Sequence, residues 1–159
     1  MQDGSINQVT DMFASRVFLA GLFSWLIAQM LKALLVQLRG RSAPPGEVLT
    51  TLLWRTGGMP SSHSALVAGL CASIGLVHGV ATSLFALSFF YALVIIRDAL
   101  GVRRSAGVQA RALNQLGKAA AQKFEIEFVP VKEVMGHSPT EVLVGVVLGL
   151  AVGVVLSLI

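Results

Sequence analysis

Apolar and polar residues are distributed along this chain in long blocks. From Met12 to Leu38 most residues are apolar, and from Ser64 to Ile96 there is no Lys, Arg, Asp or Glu over 33 residues. A third apolar block runs from Val142 to Ile159. Because about 20 apolar residues in a helix cross the hydrocarbon core of a bilayer, these blocks predict membrane-spanning helices.

The uncharged block from Ser64 to Ile96 is too long for one span. At about 1.5 Å per residue, a single helix would overrun a hydrocarbon core roughly 30 Å thick, so the chain must turn back. A break at His78-Gly79 predicts one helix from about Pro60 to Val77 and another from about Thr82 to Ile96. The pattern therefore predicts an all-α integral membrane bundle of about four transmembrane helices.

Two segments between the apolar blocks are predicted to lie outside the hydrocarbon core. Residues 47–54 are too few to span, which favours a short interfacial or re-entrant helix. Residues 97–132 carry most of the basic side chains and include an Ala-rich helix, from about Val102 to Gln122, that is solvated or lies on the membrane surface. The positive-inside rule makes this basic loop cytoplasmic, and the order of the spans places His63 and His137 on the same face.

Composition agrees with a membrane protein. The 159 residues are 55% hydrophobic and 13% charged, and they are enough for a single domain. The formal charge of +4 comes from basic clusters between apolar stretches, which indicates loops facing an anionic membrane surface. These clusters lack interleaved aromatic residues, which argues against nucleic-acid binding. Because Cys71 is the one cysteine, an intramolecular disulfide and a cysteine-built metal site are both excluded.

The stretch Gly57-Gly-Met-Pro-Ser-Ser-His-Ser64 lies at the entrance to an apolar helix. A helix N-terminus offers free N–H groups and the positive end of a dipole, so this stretch is suited to hold a phosphate. Ser61 and Ser62 would then contact the phosphate, with His63 beside them. A serine-capped helix start with an incidental histidine explains the same residues.

The second histidine, His137, also precedes an apolar helix. Glu141 lies four residues later, so if the helix begins at or just before His137, its carboxylate can reach one ring nitrogen and fix the tautomer of a nucleophile or base. Ser138-Pro139-Thr140-Glu141 also fits a capping box, in which the carboxylate turns back to the backbone. Both interpretations require the same carboxylate.

Small residues predict how these two helices pack. Glu141, Gly145, Gly149 and Gly153 recur every four residues on the last apolar helix. The helix after His63 has its own stripe of small residues, which comprises Ala65, Ala68, Gly69, Ala72 and Gly75. Because such stripes let helices approach closely in lipid, we expect the two helices to be in contact and the two histidines to share a cleft.

Three motifs together resemble a known family. Thr56-Gly-Gly-Met-Pro-Ser-Ser-His-Ser-Ala65, Asp98-Ala-Leu-Gly-Val-Arg-Arg104 and Gly136-His-Ser-Pro-Thr-Glu-Val142 occur in the order found in the divergent branch of the type 2 phosphatidic acid phosphatase (PAP2) family, which is related to acid phosphatases and vanadium haloperoxidases. The resemblance covers nearly the whole chain from the first apolar helix onward.

The chain also departs from the superfamily pattern. Lys32 and Arg39 reproduce its first Lys-to-Arg spacing, and Arg41 and Arg55 are alternatives for the second cation. Ser62 stands where glycine is usual. Lys132 is one residue closer to the histidine than the usual Arg, and Glu141 replaces Asp. Asp98 has no counterpart in the core pattern, and pairing with Arg103 or Arg104 is favoured over metal binding.

The resemblance implies a histidine phosphatase that uses no metal or other cofactor. His137 would attack phosphorus, Glu141 would orient it, and His63 would protonate the leaving oxygen and then activate water. The side chains implied to bind the phosphoryl oxygens are Lys32, Arg39, Ser61, Ser62, Lys132, Arg103 and Arg104.

A site at the cytoplasmic mouth of membrane helices implies a phosphorylated lipid as substrate, either a monoester or a pyrophosphate. Phosphatidylglycerophosphate is one candidate that the resemblance suggests. The expected location is a bacterial inner membrane. A non-catalytic membrane protein that binds phosphorylated lipids or a partner protein is the alternative, whereas a transporter is disfavoured because no internal repeat is evident. Glycine-rich helix surfaces leave a homo-oligomer open.

Overall fold

A computed structural model describes residues 10–38, 58–133 and 136–159 of the chain. Within these ranges the ordered elements are helices and the turns that connect them. The five long helices are α1 (Arg16–Leu38), α2 (Ser62–His78), α3 (Ser83–Leu100), α4 (Val102–Phe124) and α5 (Pro139–Leu158). The predicted all-α membrane bundle is therefore confirmed, and the segment 47–54, predicted to be interfacial, lies outside the described residues.

The break predicted at His78-Gly79 is confirmed. Helix α2 ends at His78, and Gly79 follows with φ of 90°, a conformation that a residue with a Cβ rarely adopts. The Thr82 hydroxyl then accepts from the backbone N–H of Phe85 and caps α3. This turn reverses the chain, so the start of α2 and the end of α3 lie at the same end of the bundle.

Three helical stretches are long and apolar enough to cross a membrane: α1, the stretch Ser83–Phe124 that comprises α3 and α4, and α5. Helix α2 is also apolar, but it has 17 residues, which is at the lower limit for a span. It begins two residues later than predicted, at Ser62, because Ser61 caps it. The four predicted spans thus correspond to α1, α2, α3 and α5, of which α2 is the shortest.

The expected contact between α2 and α5 is confirmed, and it is close enough to involve backbone atoms. A Cβ added at Gly145 would overlap the carbonyl group of Ser61, and one at Gly149 would overlap that of Ala65. A Cβ at Gly153 would meet the backbone of Gly69 in the same way. The glycines of α5 therefore form a seam along α2 that larger residues would push apart.

Polar contacts fix the end of the bundle opposite to the histidines. The Ser73 and Ser157 hydroxyls are 2.8 Å apart and join α2 to α5. The Arg16 guanidinium donates to the carbonyl oxygens of Ser157, at 3.3 Å, and of Ile159, at 3.2 Å. A cation at this position stabilises the carbonyl end of α5, and it explains how Arg16 is accommodated at the start of α1.

Helix α4 extends from the bundle and has a return segment, residues 125–133, packed along it. The Asn114 side chain accepts from the backbone N–H of Val131 and donates to its carbonyl, both at 2.9 Å. Asn114 also donates to Glu133, and Arg111 reaches the same carboxylate at 3.4 Å. The hydrogen bond from Asn114, assisted by Arg111, lowers the pKa of Glu133. Further along, the Phe128 ring covers Gly117.

Candidate active site at one end of the bundle

Helix α2 begins with a serine cap. Ser61 has an extended backbone, and its hydroxyl accepts from the backbone N–H of Ser64 at 3.4 Å and from the Ser64 hydroxyl at 2.9 Å. The serine-capped start considered for this sequence is therefore present. Among the first N–H groups of the helix, those of Ser62 and His63 have no intrahelical acceptor. They point out of the helix start beside the exposed His63 side chain.

Helix α5 begins with a capping box that includes the His137 partner. The Ser138 hydroxyl accepts from the Glu141 N–H at 3.3 Å. Glu141 Oε2 accepts from the Ser138 N–H at 3.3 Å, and it lies 2.9 Å from His137 Nδ1. The His137 contact and the capping box, which require the same carboxylate, are therefore both present. Because His137 and Ser138 are consecutive at the helix entrance, one carboxylate oxygen contacts both.

This arrangement determines which nitrogen of His137 can react. A carboxylate 2.9 Å from Nδ1 favours a proton on that nitrogen, so the lone pair is left on Nε2. The His137 side chain is 5% exposed, which protects its contact with Glu141 from water. His137 is therefore a buried imidazole with a fixed orientation.

Main-chain contacts hold the two helix starts together. The Ser61 N–H donates to the carbonyl oxygen of Glu141 at 3.0 Å. The His137 N–H donates to the carbonyl oxygen of Ala99 at the end of α3, at 3.3 Å. The expected placement of His63, His137 and the start of the basic loop at one end of the bundle is confirmed.

Lys32 is a buried cation near this end of the bundle. It lies in α1 and is 4% exposed, and the Gly58 backbone lies beside its aliphatic stem. Among the described residues no carboxylate lies within 4.0 Å of its ammonium group, although its charge interacts with that of Glu141. A buried ammonium group in a membrane helix is costly, and a bound anion would offset that cost.

The junction of α3 and α4 contributes a cation to the same region. Arg103 Nε donates to Asp98 Oδ2 at 2.6 Å, as expected for these residues. The ionisable side chains close enough to His63 to interact with it electrostatically are those of Arg103, His137, Lys32 and Asp98. Gly136 packs against the backbone of Arg103 and Arg104, where a Cβ would overlap. The chain before His137 is thus held against the start of α4.

The structure does not bring every predicted residue to the cluster. Arg104 is exposed, and its described contact is a backbone one, with Gly136. Lys132 is exposed beside the segment that Asn114 anchors, and no described contact joins it to either histidine. Arg39, with its alternatives Arg41 and Arg55, lies outside the described residues.

An apolar groove elsewhere in the bundle offers no comparable chemistry. It lies between α1 and α5 and is lined by Phe23, Ile27, Ala151, Val152, Val155 and Leu156. Within the part of the chain that the structure describes, no group of three or more His, Cys, Asp or Glu side chains could hold a metal ion. The histidine cluster is therefore the candidate active site.

Sequence reasoning included two glycines in its motifs but missed what they pack against. Gly58, with φ of 94°, lies beside the Lys32 stem, and Gly136 allows the chain to pass close to α4. Gly58 lies five residues before His63 and Gly136 directly before His137, which is the signal that could have pointed to a role for them at the site. Their spatial partners belong to other helices and could not be identified from spacing alone.

These features define a helical membrane protein with a histidine–carboxylate pair, a second histidine and a buried cation at one end of its bundle. The chain belongs to the divergent PAP2 family, whose model matches residues 13–152. It is 40% identical over 121 residues to the uncharacterized membrane protein YuiD of Bacillus subtilis (strain 168), an alignment that covers 67% of this chain and 75% of YuiD. No solved structure matches the chain.

Proposed function

We propose that this protein is a membrane phosphatase that removes phosphate from a phosphorylated lipid head group through a phosphohistidine intermediate and without a metal ion. The observation that carries the proposal is the His137–Glu141 pair, with its 2.9 Å contact, beside His63 and the buried Lys32. Family membership supports PAP2-like chemistry. That the protein is catalytic and that its substrate is a lipid are our proposals, which go beyond the geometry of the site and the family membership.

In the first step, His137 Nε2 attacks phosphorus while the P–O bond to the lipid alcohol breaks. Nδ1–H remains bonded to Glu141, whose negative charge stabilises the ring as it becomes positive. Protonated His63 gives its proton to the leaving oxygen, so the lipid departs as an alcohol.

In the second step, neutral His63 takes a proton from water, and the water oxygen attacks the phosphorus of phosphohistidine. The P–N bond breaks, inorganic phosphate leaves, and both histidines return to their starting states. Lys32, Arg103 and the N–H groups of Ser62 and His63 would bind the phosphoryl oxygens, because fixed cations and N–H donors stabilise the charge that develops there. Ser61 would act chiefly by capping α2.

The remaining predicted phosphate ligands have less support. Arg104 and Lys132 are exposed away from the described contacts of the cluster, so they would act on an approaching head group at most. Arg39 stays a proposed phosphate ligand on the basis of its sequence spacing from Lys32. We also propose that the site faces the cytoplasm of a bacterial inner membrane, on the basis of the positive-inside rule.

The test is phosphate release from phosphatidic acid and phosphatidylglycerophosphate by the purified protein in detergent with a chelator present. We expect turnover that vanadate inhibits, and we expect His137→Gln and His63→Gln each to reduce kcat by at least about 100-fold, as for loss of a nucleophile or general acid. The matched control is His78→Gln, at the opposite end of α2, which should keep full activity. Full activity in either of the first two variants would refute the proposed roles, and saturable lipid binding without turnover would indicate a non-catalytic lipid-binding protein.

A further inference from the structure

Helix α4 has three different sides along its length. One side packs on the return segment through Asn114 and Gly117. A second side is apolar and exposed: the exposed fractions are 66% for Val102, 52% for Leu113 and 69% for Leu116. The Phe124 side chain, 65% exposed, continues this side at the end of the helix.

Helical geometry separates the apolar side from three of the five basic residues of α4. At about 100° per residue, Val102, Leu113, Leu116 and Phe124 fall within an arc of about 80°. Arg104, Arg111 and Lys118 are spaced by seven residues and fall within about 40° on the opposite side. The helix is therefore strongly amphipathic, with its two exposed sides opposed.

The apolar side of α4 has no partner among the described helices. α4 contacts the bundle through α3, which it joins at Gly101, and not through α1, α2 or α5. Four large apolar side chains left in water along one stripe would be unfavourable, and such a stripe marks an interaction surface. The apolar side could be covered by a lipid surface or by a second copy of the chain.

Charge favours an anionic lipid surface over a second copy of the chain. The sequence of α4 contains Arg103, Arg104, Arg111, Lys118 and Lys123 and no acidic residue. Two copies of this helix carry the same net charge and repel each other, whereas anionic head groups attract it. Lys123 Nζ lies 5.6 Å from the centre of the Phe124 ring, beside the stripe, so this basic side chain can extend to the head groups while the stripe is buried.

The position of α4 in the fold supports the same partner. Helix α3 is apolar enough to cross the membrane, and only Gly101 separates its end from Val102. Helix α4 therefore starts where α3 leaves the hydrocarbon core. A helix that begins at this level can place its apolar side in the interface by lying along the membrane plane.

We propose that α4 is a membrane-surface helix that lies in the head-group region of an anionic leaflet, with the stripe Val102, Leu113, Leu116 and Phe124 facing the acyl chains. The return segment then forms the water-facing cover of the helix on the side of Asn114. This placement depends on the exposed surfaces of α4 and not on the proposed phosphatase activity.

The test compares two spin labels on opposite sides of α4 in the full-length protein. Leu113→Cys and Gln122→Cys, each in a Cys71→Ser background, lie nine residues apart and therefore about 180° apart on the helix. Both native side chains are exposed, so the labels do not replace packed groups. The protein is reconstituted in vesicles of phosphatidylcholine, with or without phosphatidylglycerol.

In vesicles with phosphatidylglycerol, the label at Leu113 should collide several-fold less often with a water-soluble nickel chelate, and more often with oxygen, than the label at Gln122. The difference should shrink in phosphatidylcholine alone and at high salt, because charge attraction is then lost. Equal nickel access at the two positions would overturn the proposal. Dipolar broadening between labels at Leu113 would overturn it as well, because it would indicate pairing with a second copy.

Discussion

Replacing Glu141 with Gln separates the two interactions that its carboxylate makes. Gln is accepted at this position of a capping box, so its side chain can still accept from the Ser138 N–H. The negative charge 2.9 Å from His137 Nδ1 is lost. The substitution thus tests the charge on the histidine while it keeps the start of α5.

The size of the effect follows from that contact. A hydrogen bond to a charged group contributes about 1.5–3 kcal/mol and a neutral one about 0.5–1.5 kcal/mol, so the charge itself contributes about 1–2 kcal/mol. If this difference applies when the His137 ring becomes positive in the transition state, kcat should fall about 5-fold to 30-fold. The free energy of unfolding should change little.

Ser138→Ala is the matched control, because it removes the other half of the capping box. It deletes the hydroxyl that accepts from the Glu141 N–H at 3.3 Å and leaves the histidine–carboxylate pair in place. We expect it to lower stability by about 0.5–2 kcal/mol with kcat unchanged. Both variants are measured by single-turnover phosphate release and by thermal unfolding in detergent.

Two results would refute this reasoning. If Glu141→Gln kept the full kcat, its charge would have no part in the reaction. If Ser138→Ala lost as much kcat as Glu141→Gln, the carboxylate would act only by holding the start of α5.

Three further predictions concern the seam and the return segment. Gly149→Val should lower the free energy of unfolding by about 1–3 kcal/mol, because its side chain overlaps the Ala65 carbonyl; an unchanged midpoint in thermal unfolding would contradict the close contact. Asn114→Ala should speed amide hydrogen exchange at Val131, which loses its acceptor, while exchange in α5 stays slow; unchanged exchange at Val131 would show that other contacts hold the segment. The pKa of Glu133 is lowered from its usual 4.5, so the ionised carboxylate stabilises the return segment above pH 4.5, and this stabilisation is lost as the pH falls through the lowered pKa. Amide exchange at Val131 should therefore become faster on acidification. The change with pH should be smaller in Asn114→Ala, which lacks the main hydrogen bond to the carboxylate.

Helix positions were predictable because their signals are local. The block without charges required a turn, and His78-Gly79 was its best position; both depend on consecutive residues. The spacing of His137 and Glu141 predicted their contact on the assumption that the helix begins at or just before His137. The helix begins at Pro139 instead, and the contact forms because the capping box turns the carboxylate back toward the residues before the helix. The sharing of one carboxylate oxygen between a ring and a backbone N–H depends on the conformation at the helix entrance, which spacing does not specify.

The return segment was not predictable for a different reason. Asn114 lies in an Ala-rich helix where a polar residue is expected to face water, and its partner Val131 is 17 residues away. The partner of such a residue is decided by which segment docks on the helix. The same limit applies to Gly136, whose neighbours at the start of α4 are more than 30 residues earlier in the chain.

Substitutions in the glycine seam between α2 and α5 can only increase the distance between the two helix starts that carry the histidines. Gly145 and Gly149 already place main chain against main chain, and glycine has no smaller replacement. Every substitution there can widen the separation of the helices, and none can narrow it. The chain therefore holds the backbones of α2 and α5 as close as this helix pair permits, and a relative with a larger residue at either position should have a wider gap between the helix starts that carry the two histidines.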